Sequence, residues 1–183
     1  MRLFALAAAA AALTALAGPA PAQDKGSVVE LAGMKSTTPA DWKQETPTST
    51  MRLTQFKLPK AEGDKEDAEL ALFVFPGGSG TVQQNLDRQV AKFEKAAGKD
   101  KVEQKVDKIK VGTIEATYQD VAGTYIKKPF PMAEKGIAIP DYRQLYVVFE
   151  SKDGKQYYMT LLGPAKTVEK HKKAFEEWLK NFK

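Results

Sequence analysis

Apolar and polar residues follow different periods along the chain, and the first half contains two strand patterns and one helix pattern. Residues 51–58 show an imperfect period of two, whereas residues 70–75 are almost continuously apolar, which is typical of a central strand covered on both faces. We predict that these two strands form a hairpin. From Val82 to Ala97 apolar residues recur at helical spacing, which predicts an amphipathic helix that ends at Gly98.

The second half of the chain repeats this order of strands followed by a helix. The predicted strands cover residues 102–114 (one strand, or two with a bend near Gly112), 116–125, 142–151 and 156–162. Asp153 and Gly154 predict a hairpin turn between the last two strands, because both residue types tolerate positive φ. Residues 167–182 place apolar side chains on one face and predict a closing helix. Hairpin-linked strands with two amphipathic helices predict an α+β fold with a largely antiparallel sheet.

The N-terminus has the composition of an export signal. Arg2 precedes an apolar stretch from Leu3 to Ala17, and Ala20 and Ala22 provide the small residues of a cleavage site. The predicted organisation is a signal peptide at 1–22, an N-terminal arm or short strand at 23–36, and a single α+β domain at 37–183. No later apolar run approaches the roughly 20 residues that cross a bilayer. We therefore expect an exported protein, periplasmic or extracellular, with no transmembrane segment after signal cleavage.

Composition limits the chemistry that the chain can perform. The absence of cysteine excludes disulfides, thiolate metal sites and cysteine nucleophiles. The single histidine, His171, shares the helical spacing of Val168 and Phe175, so we expect it to pack against the sheet rather than to act in catalysis. Charges of both signs are interleaved under a formal net charge of +5, which is typical of a solvated surface. We expect no metal ion, no cofactor and no nucleic-acid partner.

Carboxylates cluster between Glu62 and Glu69, in the turn of the first predicted hairpin. Such a cluster is either a solvated loop or a weak calcium site, because calcium prefers oxygen ligands. The spacing misses the EF-hand pattern, and Lys60 and Lys65 neutralise part of the charge. We therefore favour a solvated loop.

A glycine-rich segment connects the strand at 70–75 to the first helix. Backbone N–H groups before a helix attract anions, so Gly78, Ser79, Gly80 and Thr81 are weak candidates for an anion site. The segment lacks the lysine of a P-loop and the G-x-G-x-x-G spacing of dinucleotide sites. Thr81 and Gln84 instead fit an N-terminal capping box. We interpret the segment as a structural corner.

Residues 126–141 contain three prolines and a glycine and break every periodicity, which predicts a long connection. Apolar residues occur in this segment among Lys127, Lys128 and Lys135. They either fold back over an open face of the sheet or form a partner-binding or pocket-lining loop. The candidate residues are Phe130, Met132, Ile137, Ile139 and, at the start of the next strand, Tyr142.

Several stretches together resemble a group of exported bacterial proteins, mostly uncharacterised and common in planctomycete-type genomes. They are PADW (39–42), MRLTQFKLP (51–59), ELALFVFPGGSGTVQQNLDR (69–88), GTY (123–125) and LLGPAKTVEKHKKAFEEWL (161–179). The order of elements also resembles the PsbP-like fold, an α/β/α sandwich found in the extrinsic photosystem II protein and a Ran-binding nuclear factor. This resemblance implies an assembly factor, binding module or accessory subunit. The metal-binding histidines of the photosystem protein have no counterpart here.

Three functions are compatible with the sequence. We favour an exported, non-catalytic binding or accessory module that uses one sheet face and residues 126–141 against a protein or envelope component. One alternative is a small-ligand carrier or enzyme with a pocket near that loop and the glycine corner, and another is a structural envelope protein. The aromatic residues proposed to line such a pocket are Tyr142, Tyr146, Tyr157 and Tyr158. A pocket on the sheet face would favour the carrier or enzyme, whereas a filled face would count against it.

Overall fold

A computed structural model of the protein describes residues 25–130 and 133–183, so the predicted signal peptide at 1–22 lies outside the described residues. In chain order the elements are β1 (Val28–Leu31), β2 (Met34–Thr37), β3 (Lys43–Glu45), β4 (Arg52–Leu58), β5 (Ala68–Pro76), α1 (Val82–Val90), β6 (Phe93–Glu94), β7 (Glu103–Val111), β8 (Ile114–Lys127), β9 (Ile137–Glu150), β10 (Lys155–Pro164) and α2 (Ala165–Lys180). The two helices among many strands confirm the predicted α+β class.

The strands form one large sheet and one small hairpin. The large sheet has the order β3-β4-β5-β10-β9-β8-β6, and β7 pairs with the first part of β8 on the same side as β6. The separate hairpin consists of β1 and β2. Every pairing among the described strands is antiparallel. The predicted β4–β5 hairpin is confirmed, as is the turn at Gly154, whose φ is 73°.

Alternate residues of the central strands face opposite sides of the sheet, and each side packs a different helix. Leu145 and Val147 of β9 belong to the large core that includes α2, whereas Tyr146 and Val148 pack with Leu86 of α1. Because α1 has only nine residues, it covers only part of its side of the sheet. Neither of these helices, nor any other helix in the described part of the chain, is long and apolar enough to cross a bilayer.

The core beneath α2 is rich in aromatic side chains. Trp42, which precedes β3, is 2% exposed, and its ring centroid lies 5.7 Å from that of Trp178. His171 of α2 is also buried, and its Nε2 lies 2.8 Å from the carbonyl oxygen of Pro59. The packed position expected for His171 is therefore confirmed. These contacts fix α2 and the segment before β3 to the same face of the sheet.

The β1–β2 hairpin is part of this packed domain. Leu31 is 1% exposed, and the Ser36 hydroxyl donates to the carbonyl oxygen of Trp178 at 3.1 Å. The backbone N–H of Lys35 donates to the carbonyl oxygen of the last residue, Lys183, at 2.8 Å. The β1–β2 hairpin is therefore hydrogen-bonded to the residues at and after the end of α2.

The first helix is shorter than its apolar spacing predicts. It ends at Val90, and Phe93, which continues the helical stripe in the sequence, lies instead in β6 opposite Tyr125. Phe93 is buried against Val121 of β8. The predicted helix end at Gly98 is therefore wrong, because pairing with β8 draws this apolar residue out of the helix.

Part of the predicted connection at 126–141 belongs to the strands of the β8–β9 hairpin. β8 extends to Lys127, β9 begins at Ile137, and these two residues are directly paired. A bulge accommodates Pro140 and Asp141, and Asp141 has a φ of 56°. The connection is therefore shorter than predicted and covers 128–136, because a bulge lets a strand contain a proline that lacks an N–H group.

Candidate functional site

The sheet face that α1 leaves uncovered carries a cleft of about 790 Å³. Side chains of β5 and β10 form its floor, α1 forms one wall, and the paired ends of β8 and β9 lie at one end. Small-molecule sites usually have volumes of about 300 to 1,000 Å³. The cleft is therefore the candidate functional site.

The floor of the cleft is partly apolar. Phe73 and Phe75 of β5 stack with their ring centroids 6.4 Å apart, and Leu162 lies on the adjacent strand β10. All three side chains are partly exposed, whereas Tyr146 and Tyr158 beside them are buried. A ligand with an apolar part would therefore cover apolar surface that the protein leaves in water.

Two cations lie along the wall that α1 provides. Arg88 donates to the backbone oxygen of Ser79, and also to Asn85 Oδ1 at 2.9 Å and to the Gln84 carbonyl oxygen at 3.2 Å. Lys92 follows the end of the helix and lines the same cleft. Among the described residues neither cation forms a salt bridge. The wall therefore presents positive charge whose described hydrogen-bond partners are neutral.

Lys92 is the more perturbed of these two cations. Lys92 is exposed as a whole residue, but its Nζ donates to Gln89 Oε1 at 2.6 Å on the cleft wall. Desolvation, together with the positive charge of Arg88, lowers the pKa of Lys92 to about 8. An anion bound next to Lys92 would offset both effects.

A buried amide network continues from Lys92 into the sheet. Gln89 Oε1 also accepts a hydrogen bond from Gln144 Nε2, at 3.2 Å, and Gln144 is fully buried on β9. Within the part of the chain that the structure describes, Gln144 Oε1 has no hydrogen-bond partner. A buried acceptor without a partner is costly, and Gln144 lines the cleft, so a donor group entering the cleft would stabilise this network.

The glycine corner begins α1 as predicted. Thr81 Oγ1 accepts from the backbone N–H of Gln84 at 3.2 Å, and Gln84 Oε1 accepts from the backbone N–H of Thr81 at 3.0 Å. This reciprocal pair confirms the predicted capping box. The positive φ angles of Gly77, Gly78 and Gly80 explain the glycines of the corner.

The backbone N–H groups of Gly78, Ser79 and Thr81 in the candidate anion site are used within the protein. The N–H of Ser79 donates to the Tyr158 hydroxyl at 3.1 Å, and the N–H of Gly78 donates to the Phe75 carbonyl oxygen at 3.0 Å. Of the candidates Gly78, Ser79, Gly80 and Thr81, Ser79 alone lines the cleft. The corner therefore supports the cleft wall rather than forming the site itself.

Tyr142 is the residue of the 126–141 candidates that belongs to the cleft. Its ring stacks on Tyr125 with centroids 5.6 Å apart, and its hydroxyl donates to the Glu66 carboxylate. Desolvation and this hydrogen bond raise the pKa of Tyr142 well above its ordinary value. Ile139 packs in the same apolar cluster as Tyr142 without lining the cleft.

Two further candidates of that segment, Phe130 and Ile137, do not line the cleft. Phe130 and Ile137 are 60% and 69% exposed near the end of the β8–β9 hairpin, and Met132 lies outside the described residues. The structure therefore divides the predicted group into Tyr142 and Ile139, beside the cleft, and two exposed apolar side chains that do not line it.

Three of the four tyrosines proposed to line a pocket do so, namely Tyr142, Tyr146 and Tyr158. Tyr157 points to the opposite face, where it stacks on Phe149 at a centroid distance of 5.2 Å. The difference follows from strand geometry, because neighbouring residues of a strand face opposite sides.

The acidic loop at 62–69 has structural roles. Asp64 accepts hydrogen bonds from the backbone N–H and the hydroxyl of Thr167, at 2.9 and 2.6 Å, and so caps the first turn of α2. Asp67 accepts from the backbone N–H of Lys60 at 2.9 Å. No group of histidine, aspartate or glutamate side chains suited to a metal ion is found in residues 25–130 and 133–183.

Sequence patterns did not identify Phe73, Lys92 or Gln144 as site residues. Phe73 lies in an apolar run that favoured a strand covered on both faces, and Lys92 lies inside the overextended helix pattern. Gln144 offers the one usable signal, because a glutamine within an apolar strand pattern indicates a buried polar position. Whether Phe73 and Lys92 line a site depends on which elements lie beside them in space.

No protein-family model matches the chain, and no curated protein is significantly similar to it. The geometry of the cleft is therefore the main guide to function.

Proposed function

We propose that the protein is an exported, non-catalytic binding protein that holds a small molecule in the cleft between α1 and the ends of β8 and β9. The observation that carries this proposal is the lining of the cleft. Partly exposed Phe73 and Phe75 lie on its floor, and Lys92 lies on its wall without a described carboxylate partner. Ligand sites combine such apolar surface with a few polar groups that set orientation.

The chemistry of the lining favours binding over catalysis. His171, the single histidine, lies on the opposite face and is hydrogen-bonded to Pro59. Burial raises the pKa of Tyr146 well above its ordinary value, so at neutral pH its hydroxyl is a neutral hydrogen-bonding group. The cleft therefore offers hydrogen bonds, apolar surface and charged groups for a ligand, and the single histidine is not among its lining residues.

Two further parts of this proposal concern the relationship to a known fold and the export of the protein. An antiparallel sheet with one helix on each face is compatible with a PsbP-like sandwich, whose members include binding modules and accessory subunits. We propose further that the protein is related to PsbP-like domains and that it is exported through the signal peptide at 1–22. The first part rests on the order of elements and the second on the composition of residues 1–22, and fold alone does not imply function.

The exposed end of the β8–β9 hairpin favours a second candidate function. Phe130 and Ile137 expose large apolar side chains close to Lys127 and Lys128. Exposed apolar residues within a charged surface are common in protein interaction sites. An accessory module would use this hairpin end to contact a protein partner.

We expect that filling the cleft abolishes ligand binding. Thr160 lies on the cleft floor, partly exposed, between Ala71 of β5 and Tyr146 of β9. The substitution Thr160→Trp places an indole in the open volume, so the Kd of the fluorescent probe anilinonaphthalene sulfonate should rise at least about tenfold. The measurement is a fluorescence titration of the folded protein.

The matched control is Thr37→Trp, an exposed position on the β1–β2 hairpin, which should leave the Kd of the probe unchanged. Near-ultraviolet circular dichroism would verify that both variants keep their tertiary packing. Equal probe affinity in the wild type and in Thr160→Trp would show that the cleft is not the binding site and would overturn the proposal.

A further inference from the structure

The charged side chains around the cleft differ in the hydrogen bonds and salt bridges that they form within the protein. On the acidic side, Glu69 forms a 2.8 Å salt bridge with Arg52, Glu66 accepts a hydrogen bond from Tyr142, and Asp67 accepts one from a backbone N–H. These three carboxylates therefore have partners.

Six cations and three carboxylates line the cleft, and of the three carboxylates only Glu69 has a charged partner on the cleft lining. Lys92 donates to a neutral amide oxygen, and Arg88 donates to two backbone oxygens and one side-chain amide oxygen. Lys127 and Lys128 line the same end of the cleft, and neither forms a salt bridge among the described residues. Concentrated positive charge in a partly desolvated cleft attracts anions.

The apolar floor lies beside this basic wall. Arg88 contacts Ser79 and Asn85 at the glycine corner, and these residues border the same cleft as Phe73 and Phe75. Thr160 and Leu162 continue the floor along β10 towards Lys127 and Lys128. A single small molecule that fills the cleft therefore meets apolar surface on one side and positive charge on the other.

We propose that the ligand of this cleft is an amphipathic anion, with an aromatic or aliphatic body over Phe73, Phe75 and Leu162 and a carboxylate, sulfonate or phosphate group at Lys92. This inference rests on the proposed binding function and adds the chemical class of the ligand. The anionic group provides Lys92 with the counter-charge that the described protein lacks, and the apolar body buries the exposed floor.

A pair of probes separates the two parts of this ligand. Anilinonaphthalene sulfonate carries the anionic group, and N-phenylnaphthylamine has the same ring system without it. The full chain after signal removal should bind the sulfonate with a Kd about five- to tenfold lower than that of the neutral probe. Fluorescence titrations at neutral pH measure both values.

The substitution Lys92→Gln tests the residue that binds the anionic group. It removes the charge while keeping a polar side chain, so the Kd of the sulfonate probe should rise about five- to tenfold and that of the neutral probe should stay constant. Lys92→Arg should restore most of the sulfonate affinity. Lys173→Gln, at an exposed position of α2 on the opposite face, is the control for the change in net charge.

The outcomes distinguish this inference from the function on which it rests. If both probes lose affinity in Thr160→Trp but Lys92→Gln changes neither, the cleft binds ligands and the anionic class is wrong. If Lys173→Gln weakens the sulfonate as much as Lys92→Gln does, the effect is one of net charge and the site at Lys92 is also wrong. If neither probe responds to Thr160→Trp, the proposed function itself fails.

Discussion

Replacing Trp178 by alanine should lower the free energy of unfolding by about 3 to 5 kcal/mol, the range for large aromatic residues in cores. Trp178 is 2% exposed and lies at the centre of the aromatic group beneath α2. Its ring centroid is 5.7 Å from that of Trp42 and 5.0 Å from that of Phe182. The substitution removes these contacts and leaves a cavity that the surrounding strands fill only in part. Urea unfolding monitored by far-ultraviolet circular dichroism measures the effect.

Leu53→Ala provides the control for this substitution. Leu53 is 45% exposed, so truncating it should change the free energy of unfolding by no more than about 0.5 kcal/mol. Trp178→Phe keeps most of the packing and should give an intermediate loss, which remains measurable if Trp178→Ala does not fold. Equal losses for Trp178→Ala and Leu53→Ala would contradict the position of the core.

The second large effect is expected at Asp120, which joins the sheet to α2. Its carboxylate accepts from Arg143 at 2.7 and 2.6 Å and from Lys172 of α2 at 2.7 Å, and its side chain is 13% exposed. Asp120→Asn leaves Lys172 without a carboxylate partner among the described residues and leaves Arg143 with Glu169 alone. Removing one member of a buried ion pair costs about 3 to 5 kcal/mol, and because these groups retain some solvent we expect a loss of about 2 kcal/mol.

The pH dependence of stability should change with the same substitution. Desolvation raises the pKa of Asp120, but hydrogen bonds and charges from Arg143 and Lys172 outweigh it and hold the pKa below its ordinary value. The stabilisation is therefore fully present above pH 4 and is lost as pH falls from the ordinary pKa through the lowered one. The difference in unfolding free energy between wild type and Asp120→Asn should be largest at pH 6 and shrink towards pH 3.

Asp100→Asn is the matched control for Asp120→Asn. Asp100 is exposed, and within the described residues its side chain has no hydrogen bond or salt bridge, so its replacement should leave the unfolding free energy nearly unchanged at both pH values. A wild-type to Asp120→Asn difference that is constant from pH 6 to pH 3 would contradict the role of the Asp120 carboxylate.

Local sequence signals predicted the features that depend on neighbouring residues. The capping box of Thr81 and Gln84 and the turn at Gly154 are set by residues within a few positions of each other, and both are confirmed. The α+β class and the antiparallel sheet followed from the same kind of signal. The capping box and the turn are fixed by backbone geometry and hydrogen bonds between residues close in the sequence.

The predictions that failed depend on partners distant in the sequence. Phe93 fits a helical stripe, but its pairing with Tyr125 of β8 places it in a strand. Pro140 indicates a loop, but a bulge opposite β8 keeps it within β9. In both places tertiary pairing outweighs local propensity, as is common for short segments.

Sequence patterns predicted only some of the residues that line the cleft. Tyr142, Tyr146 and Tyr158, and Ser79 of the corner before α1, were associated with a pocket and do line the cleft, whereas Tyr157 faces the opposite side of the sheet. Phe73 was expected to be covered on both faces, since an apolar run shows only that a strand avoids water. The helix α1 ends early because Phe93 packs against β8, and Phe73 remains partly exposed.

The most direct test of the central claim is native mass spectrometry of the full chain purified gently from its native source, alongside the Thr160→Trp variant expressed in the same cells. The account predicts that the wild type retains an anionic molecule below about a kilodalton, the size range of pocket ligands, and that the variant does not. A wild type without such a molecule, or equal retention by both proteins, would contradict it. A co-purifying protein in place of a small molecule would favour the hairpin end at Phe130 as the site of interaction.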